Sequence, residues 1–312
     1  NSSPLKQYLR RVVSSVLFWP DRQRMWSQNA VQMMSSLIVD KENTYVITSG
    51  PIFSVHSEMC RWMRKNSGKV RWVMDFRDLW TNEIAPGLQR RTPSFLTAFE
   101  RPIEQNCHAI ADIVTTIGEG VARLLRKDFG SNPIVLYNGY LERGRPVSWS
   151  CNGPVSIRYL GTIIPGLRSP ELLFQAASSL KLSPNQVLFE FWCNDATRIH
   201  YEASRAGVEN LLKCHKPVTQ EVARKLSEEA GVNLILNALV SKADQVVTGK
   251  VFELIAAGRP IIAITGENSE LRQILESCSV QSSVWSLKSA RSALEAIVNK
   301  SLPSPTDWNH KY

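Results

Sequence analysis

Apolar residues recur along the chain with two different periods. Positions 5, 8, 9, 12, 13, 16 and 17 are apolar at the i, i+3, i+4 spacing of one helical face, so residues 5–17 read as an amphipathic helix. Lys6, Arg10 and Arg11 flank that face. Such a helix either packs on a core or lies on a membrane surface. Short β-branched runs follow, at 45–48, 70–74 and 113–116, each leading into a helical or polar stretch (54–65, the segment after 74, and 119–126). The alternation stops at 139–154, which holds three Gly, two Pro and no periodicity. It resumes with strand-like runs at 156–160, 187–192, 232–236 and 261–265. Alternating strands and helices predict parallel α/β sheets, and the interruption predicts two doubly wound, Rossmann-like domains, 1–145 and 146–300, with 301–312 packing back toward the first.

Composition narrows the class. A chain of 312 residues with 43% hydrophobic and 21% charged residues can bury a core in each half, and its apolar runs fall far short of the roughly 20 residues a membrane-spanning helix needs. The six cysteines contain no CxxC pair, which speaks against a zinc site or a disulfide framework and for a reducing, cytoplasmic setting. The start Asn1-Ser2-Ser3-Pro4 has neither an initiator methionine nor a signal peptide, which suggests sequence missing upstream. The net charge of +9 is uneven: residues 1–150 hold 20 Lys+Arg against 13 Asp+Glu, and residues 151–312 hold 17 against 15. A basic first half favours an anionic partner.

The most informative motif is Thr248-Gly249-Lys250-Val251-Phe252-Glu253, continuing to Gly258-Arg259-Pro260. Thr248 is placed to cap a helix that Gly258 and Pro260 end. Lys250 then lies in the first turn, where a cation opposes the helix dipole unless an anion docks there. Glu253, three residues on, can accept hydrogen bonds from ribose hydroxyls; equally, Lys250 and Glu253 can form a surface ion pair. This Lys-x-x-Glu helix with its Gly-Arg-Pro ending resembles the donor-site helix of retaining GT-B glycosyltransferases of the glycogen-synthase-like group, especially bacterial enzymes of polysaccharide assembly. The resemblance implies a GT-B fold, with two Rossmann-like domains facing across a cleft. It places Glu253 on the nucleotide ribose and Lys250 on the donor phosphates. Many relatives carry a second glutamate eight residues earlier, where this chain has Gln245.

Two further segments fit the same family. Tyr159-Leu160-Gly161-Thr162, opening into a loop with Arg168, is a strand that ends where a backbone can approach phosphate, and a guanidinium can bind phosphate oxygens in pairs. It resembles the first strand and loop of the donor domain, which makes Gly161, Thr162, Arg168 and Thr248 donor-site candidates beside Lys250 and Glu253. Asp75-Phe76-Arg77-Asp78-Leu79-Trp80 follows a buried-looking strand. Asp75 and Asp78 can orient acceptor hydroxyls, Arg77 can hold an anion and Trp80 can stack on a sugar; the alternative is an Asp-Arg-Asp pairing that fixes a loop. The segment resembles the family's acceptor-domain signature, so Asp75, Arg77 and Asp78 stand as catalytic candidates. His56 joins them as either a cleft residue or a structural hydrogen-bonder. Ser49-Gly50-Pro51 and Tyr137-Asn138-Gly139 resemble the strand-end turn and the close of the first domain. The glycine-rich loop that opens that domain in the family is absent.

No Asp-x-Asp pair occurs and the histidines are not grouped, so no metal and no cofactor are expected. The resemblance implies retaining transfer from a nucleotide sugar, such as UDP-glucose, to a saccharide or lipid-linked acceptor in polysaccharide biosynthesis, in the cytoplasm or at the inner face of the membrane. The alternatives are a nucleotide-sugar epimerase, a catalytically silent GT-B-like interaction protein, and a nucleic-acid binder. The last is disfavoured because basic residues do not cluster with aromatics.

Overall fold

The computed structural model describes residues 13, 19–38, 44–66, 68, 70–82, 94–140, 153–239 and 247–306. Apart from Val13, the helix expected over 5–17 lies outside these residues, as do Gln245, Asp307 and Trp308. The chain divides into two compact units, Asn1–Tyr137 and Asn138–Tyr312. The division precedes the expected boundary at 145, and residues 141–152 lie outside the described set.

The first unit runs α1 (Arg24–Leu37), β1 (Tyr45–Ser49), α2 (Phe53–Lys65), β2 (Arg71–Phe76), α3 (Ser94–Ile110), β3 (Ile113–Thr116), α4 (Glu119–Phe129) and β4 (Ile134–Val135). Its four strands are all parallel and lie in chain order, β1-β2-β3-β4. Trp72, Met74 and Phe76, alternate residues of β2, point into one core with Phe53, Met59 and Met63 of α2 and with Val121, Leu125 and Phe129 of α4. The period-two pattern of the strand and the helical stripes meet there. The sequence marked only a long polar segment after Met74, yet Ser94–Ile110 is a helix carrying Pro102.

The second unit runs β5 (Val155–Gly161), α5 (Glu171–Ser179), β6 (Val187–Cys193), α6 (Ala196–Ala206), β7 (Leu212–His215), α7 (Gln220–Glu228), β8 (Val232–Leu236), α8 (Lys250–Ala256), β9 (Ile261–Ile264), α9 (Glu270–Ser277), β10 (Ser283–Val284) and α10 (Leu287–Val298). Its strands are again parallel, in the order β10-β9-β8-β5-β6-β7. The chain winds outward from β5 to β7, returns, and winds the other way from β8 to β10. This is the doubly wound Rossmann order, with its switch point between β5 and β8. Local chemistry sets the helix ends. Asp195 accepts from the Arg198 amide at the start of α6, Ser269 from Arg272 at the start of α9, and Ser286 with Ser289 forms a capping box on α10. Leu302 joins the core of this unit, and the Thr306 amide donates to the Cys278 carbonyl at 2.9 Å.

Candidate functional site

In the second unit a cavity of about 640 Å³ opens at the switch point. Its floor carries Arg158 and Leu160 of β5 with Asn233 and Ile235 of β8, and its walls come from α7 and α8. Arg168, Thr248, Lys250 and Glu253, four of the six donor-site candidates, line it. Gly161 and Thr162 are drawn to the same place by contact. The Lys250 ammonium donates to the Leu160 carbonyl and lies 6.0 Å from the centre of the Tyr159 ring. A Cβ on Gly161 would stand 2.7 Å from Lys250 Nζ and 2.9 Å from the Tyr159 hydroxyl. Glycine leaves the lysine room to pass directly over it. Arg168 donates through Nη1 to the Thr162 carbonyl at 3.3 Å, and the Tyr159 hydroxyl donates to the same carbonyl at 2.9 Å.

Two cations therefore converge on neighbouring carbonyls at the carboxyl end of β5. Lys250 is exposed as a residue, but its ammonium end is sheltered by these groups. That shelter and the positive charge of Arg168 lower its pKa, against a smaller opposing pull from Glu253. Tyr159 is buried, which pushes its phenol up to about 12 and keeps it a neutral donor. Glu253 is exposed on α8 and accepts from Gln220 of α7 at 3.4 Å.

The expectation that Thr248 caps α8 is corrected. Gly249 is the N-cap residue and has no side chain to cap the helix with; Thr248 contributes its carbonyl, which accepts from the Val251 amide at 3.1 Å. Reasoning from sequence also missed Gln220 and Asn138. A Cβ on Gly249 would lie 2.6 Å from Asn138 Nδ2, a close approach that only the Asn-Gly and Thr-Gly dipeptides hinted at. Asn233 gave no signal at all. It is fully buried at the start of β8, donates to the Ser227 carbonyl at 3.0 Å and leaves Oδ1 without a hydrogen-bond partner among the described residues.

In the first unit, the catalytic candidates separate. Asp75 is buried at the end of β2. Its Oδ2 accepts from Ser49 Oγ and from Arg77 Nε, both at 2.8 Å, and its Oδ1 accepts from Thr115 Oγ1 at 2.7 Å. Burial raises its pKa, but the hydrogen bonds from Thr115, Ser49 and Arg77, with the charge of Arg77, outweigh it and hold the carboxyl below its usual range. Asp75 thus ties three elements and aims Arg77, whose side chain is 39% exposed at the strand end. Asp78 is exposed. His56 is fully buried, accepts or donates at Nδ1 with Thr48 Oγ1 at 2.8 Å, and stacks on Phe76 at 5.4 Å. Burial lowers its pKa to about 3, so the imidazole is neutral. Trp80 does not present a face to solvent: it stacks on Phe53 at 5.3 Å and donates to Glu100 Oε2 at 2.9 Å.

Beneath these lies a buried set that the sequence did not suggest. Glu104 accepts from the Thr81 amide at 3.1 Å and from its hydroxyl, and desolvation pushes its carboxyl up to about 8. His108, one turn on, lies between Phe76 and Phe129 at 5.1 and 4.5 Å, with its Nε2 4.0 Å from Glu104 Oε1 and its pKa lowered to about 4 by burial.

No protein-family model matches the chain, and no curated protein matches it in sequence. Solved structures do share its fold. A complex of S. aureus TarM with fondaparinux, α-GlcNAc-glycerol and UDP superposes with a TM-score of 0.55 at 12% identity, covering 87% of this chain and 51% of TarM. The lipopolysaccharide outer core galactosyltransferase WaaB gives 0.58 at 14% identity, covering 90% and 72%. WaaG, a glycosyltransferase involved in lipopolysaccharide biosynthesis, gives 0.51 at 13%, covering 80% and 74%. The chain thus spans about half the length of TarM, and what it shares at these identities is the fold: that of GT-B glycosyltransferases, with two Rossmann-like units.

Proposed function

We propose that the chain is a glycosyltransferase whose second unit binds a nucleotide-sugar donor, a UDP-sugar, for transfer to a saccharide or lipid-linked acceptor. The observation that carries this reading is the convergence of Lys250 and Arg168 at the carboxyl end of β5, on the cavity that Glu253 also lines. Ligands of doubly wound sheets bind at this switch point. Two like charges resting on neutral carbonyls are relieved by a diphosphate, and Glu253 offers a carboxylate to the ribose hydroxyls one turn along α8. As the sugar leaves, the charge growing on the diphosphate meets cations already in place, which is electrostatic preorganisation. UDP in the TarM complex supports the choice of uridine. Retention of anomeric configuration, transfer without a metal, a role in polysaccharide assembly and a cytoplasmic setting complete the proposal.

Calorimetry with UDP, GDP and ADP in the absence of metal tests it. Binding of UDP that weakens at least about tenfold, or 1.4 kcal/mol, in both Lys250→Ala and Glu253→Ala is the expected result. No nucleotide binding by the folded protein overturns it.

A second reading, a GT-B-like protein that binds donor without turnover, is favoured by one observation. Of the four catalytic candidates, Asp75 is saturated with hydrogen bonds and His56 is buried and neutral. Release of UDP from a UDP-sugar, measured with and without acceptor, separates the two: release supports the transferase, and binding without release supports the silent protein.

A further inference from the structure

Lys250, Arg168 and Glu253 give handholds for a diphosphate and a ribose but none for a base. The cavity of the second unit continues past them toward the amino ends of the strands, where Arg158 of β5 and Asn233 of β8, opposite each other in register, share its floor. Val232, Leu234 and Leu236 take the core side of β8, so the alternation of a strand puts Asn233 on the cavity side. Ala223 and Ser227 of α7 and Ala256 of α8 line the walls with small side chains, which leaves width for a planar ring.

Asn233 is inaccessible to solvent. Its Nδ2 donates to the Ser227 carbonyl at 3.0 Å, which fixes the amide with its oxygen turned away from that carbonyl, and Oδ1 has no partner among the described residues. A buried acceptor without a donor is costly, and this one borders a space from which a ligand can supply it. Beside it, Arg158 donates through Nε to Glu190 at 3.1 Å and through Nη1 to the Leu226 carbonyl at 2.9 Å; no hydrogen bond engages its Nη2 among the described residues. One acceptor and one donor thus stand side by side.

Their depth suits a nucleotide. α8 leads into β9, which is parallel to β8, so the helix runs back down the sheet, and Glu253 lies about 4.5 Å below Lys250. Leu160, whose carbonyl holds the Lys250 ammonium, is two residues and about 7 Å above Arg158. Cations, a carboxylate and a donor–acceptor pair follow one another in the order of diphosphate, ribose and base.

We infer that Asn233 and Arg158 read the edge of the base and select one that carries a ring N–H beside a carbonyl. In uracil, N3–H donates to Asn233 Oδ1, and O4 accepts from Arg158 Nη2. Cytosine presents a bare nitrogen to the oxygen and an amino group to the guanidinium, so it leaves both protein groups unpaired. The inference rests on the donor-site reading of this cavity, and it holds equally for a transferase and for a protein that binds donor without turnover.

Calorimetry of the full chain with UDP, CDP and UDP methylated at N3 tests it. The wild type should bind UDP at least about tenfold more tightly than either analogue. In Asn233→Ser the affinity for UDP should fall and that for CDP should not, so that the ratio shrinks to a few-fold. Should that variant not fold, Arg158→Lys, which keeps the charge beside Glu190, carries the same prediction. No binding of any nucleotide overturns the donor site and this inference with it. UDP binding that needs Lys250 and Glu253 but leaves the three ligands equal, or a UDP preference that survives in the folded variant, overturns the reading of the base alone.

Discussion

The two units solve the same problem, burying a parallel sheet, with different materials. The second unit winds in both directions from β5 and fills its core with aliphatic and aromatic side chains: Ile157, Leu173, Phe174, Phe189, Phe191 and Leu294 are inaccessible to solvent. Four of its charged residues, Arg158, Arg168, Lys250 and Glu253, line the cavity at the switch point. The first unit winds in one direction, and it buries His56, Glu100, Glu104 and His108 among its aromatic residues. The contrast teaches where each unit keeps its ionisable groups. In the second, Arg158, Arg168, Lys250 and Glu253 line a cavity with somewhere for a ligand to go. In the first, His56, Glu104 and His108 sit inside, where they make folding depend on pH.

The largest expected effect separates the cores. Phe76 stacks on both His56 and His108, at 5.4 and 5.1 Å, and Phe189 packs edge-on against Phe174 at 5.2 Å. Truncating either to alanine should cost about 3–5 kcal/mol. The two differ in signature. Phe76→Ala admits water to the imidazoles, so the stability it leaves should depend less on pH below neutrality, whereas Phe189→Ala should leave that dependence intact. Denaturant melts across a pH series read both quantities at once, and identical pH profiles for the two variants would refute the difference drawn between the cores.

Next come two glycines of the second unit. At Gly231 a Cβ would press on Val155 Cγ1 at 2.8 Å and on the Ser156 backbone at 3.0 Å, so Gly231→Ala should lose about 1–3 kcal/mol and leave nucleotide affinity alone. At Gly161 the obstacles are the flexible end of Lys250 and, at 2.9 and 3.0 Å, the hydroxyl and ring of Tyr159. Gly161→Ala should therefore lose less stability than Gly231→Ala, where backbone is the obstacle, but displace the ammonium, weakening UDP binding about tenfold. Thermal melts paired with calorimetry check the reciprocal pattern; a Gly161→Ala protein that binds UDP normally would detach Lys250 from the site.

These pairs also show what was legible in the sequence. The alternation of strand-like runs and helices identified both sheets, and the fold class followed. The residues that meet at the second unit's cavity were legible because a cation in a helix's first turn and a glycine at a strand end are locally odd, and such oddities need a reason beyond packing. Asp75 was legible as a site but not as a saturated one, because Ser49 and Thr115 come from strands 26 and 40 residues away. Glu104 and His108 were invisible for a similar reason. At i, i+4 on a helix a Glu and a His look like a solvated pair, and only the third dimension brings Thr81, Phe76 and Phe129 around them. Strands as short as β4 and β10, two residues each, carry no period to read.

The pH dependence follows with its sign. Between about 4.5 and 6.5 the unfolded chain carries imidazole protons that His56 and His108 lack when folded, since these are lowered to about 3 and about 4, while folded Glu104, raised to about 8, keeps one proton that the unfolded chain has lost. The unfolded state binds one more proton on balance, so stability rises with pH, by about 1.4 kcal/mol per unit at most. From 6.5 to about 8 only the Glu104 mismatch remains and the sign reverses. Stability should peak near pH 6.5. Glu104→Gln should remove the falling limb and steepen the rising one; a falling limb that survives the substitution would show that another group titrates there.

The smallest effect tests whether the second unit's site is held from below. The Tyr159 hydroxyl donates to the Thr162 carbonyl, which also accepts from Arg168, and the ring lies under Lys250. Tyr159→Phe keeps the ring and removes one hydrogen bond, at a cost of about 1 kcal/mol in stability. With one donor gone, the loop that carries Arg168 should loosen, and UDP affinity should drop by a few-fold, about 0.5–1 kcal/mol. A purely structural role predicts the stability loss alone. A drop in affinity that is absent when Arg168 is already replaced by alanine would identify Tyr159 as the group that positions the guanidinium. Equal drops in both backgrounds would mean instead that the tyrosine acts through Lys250.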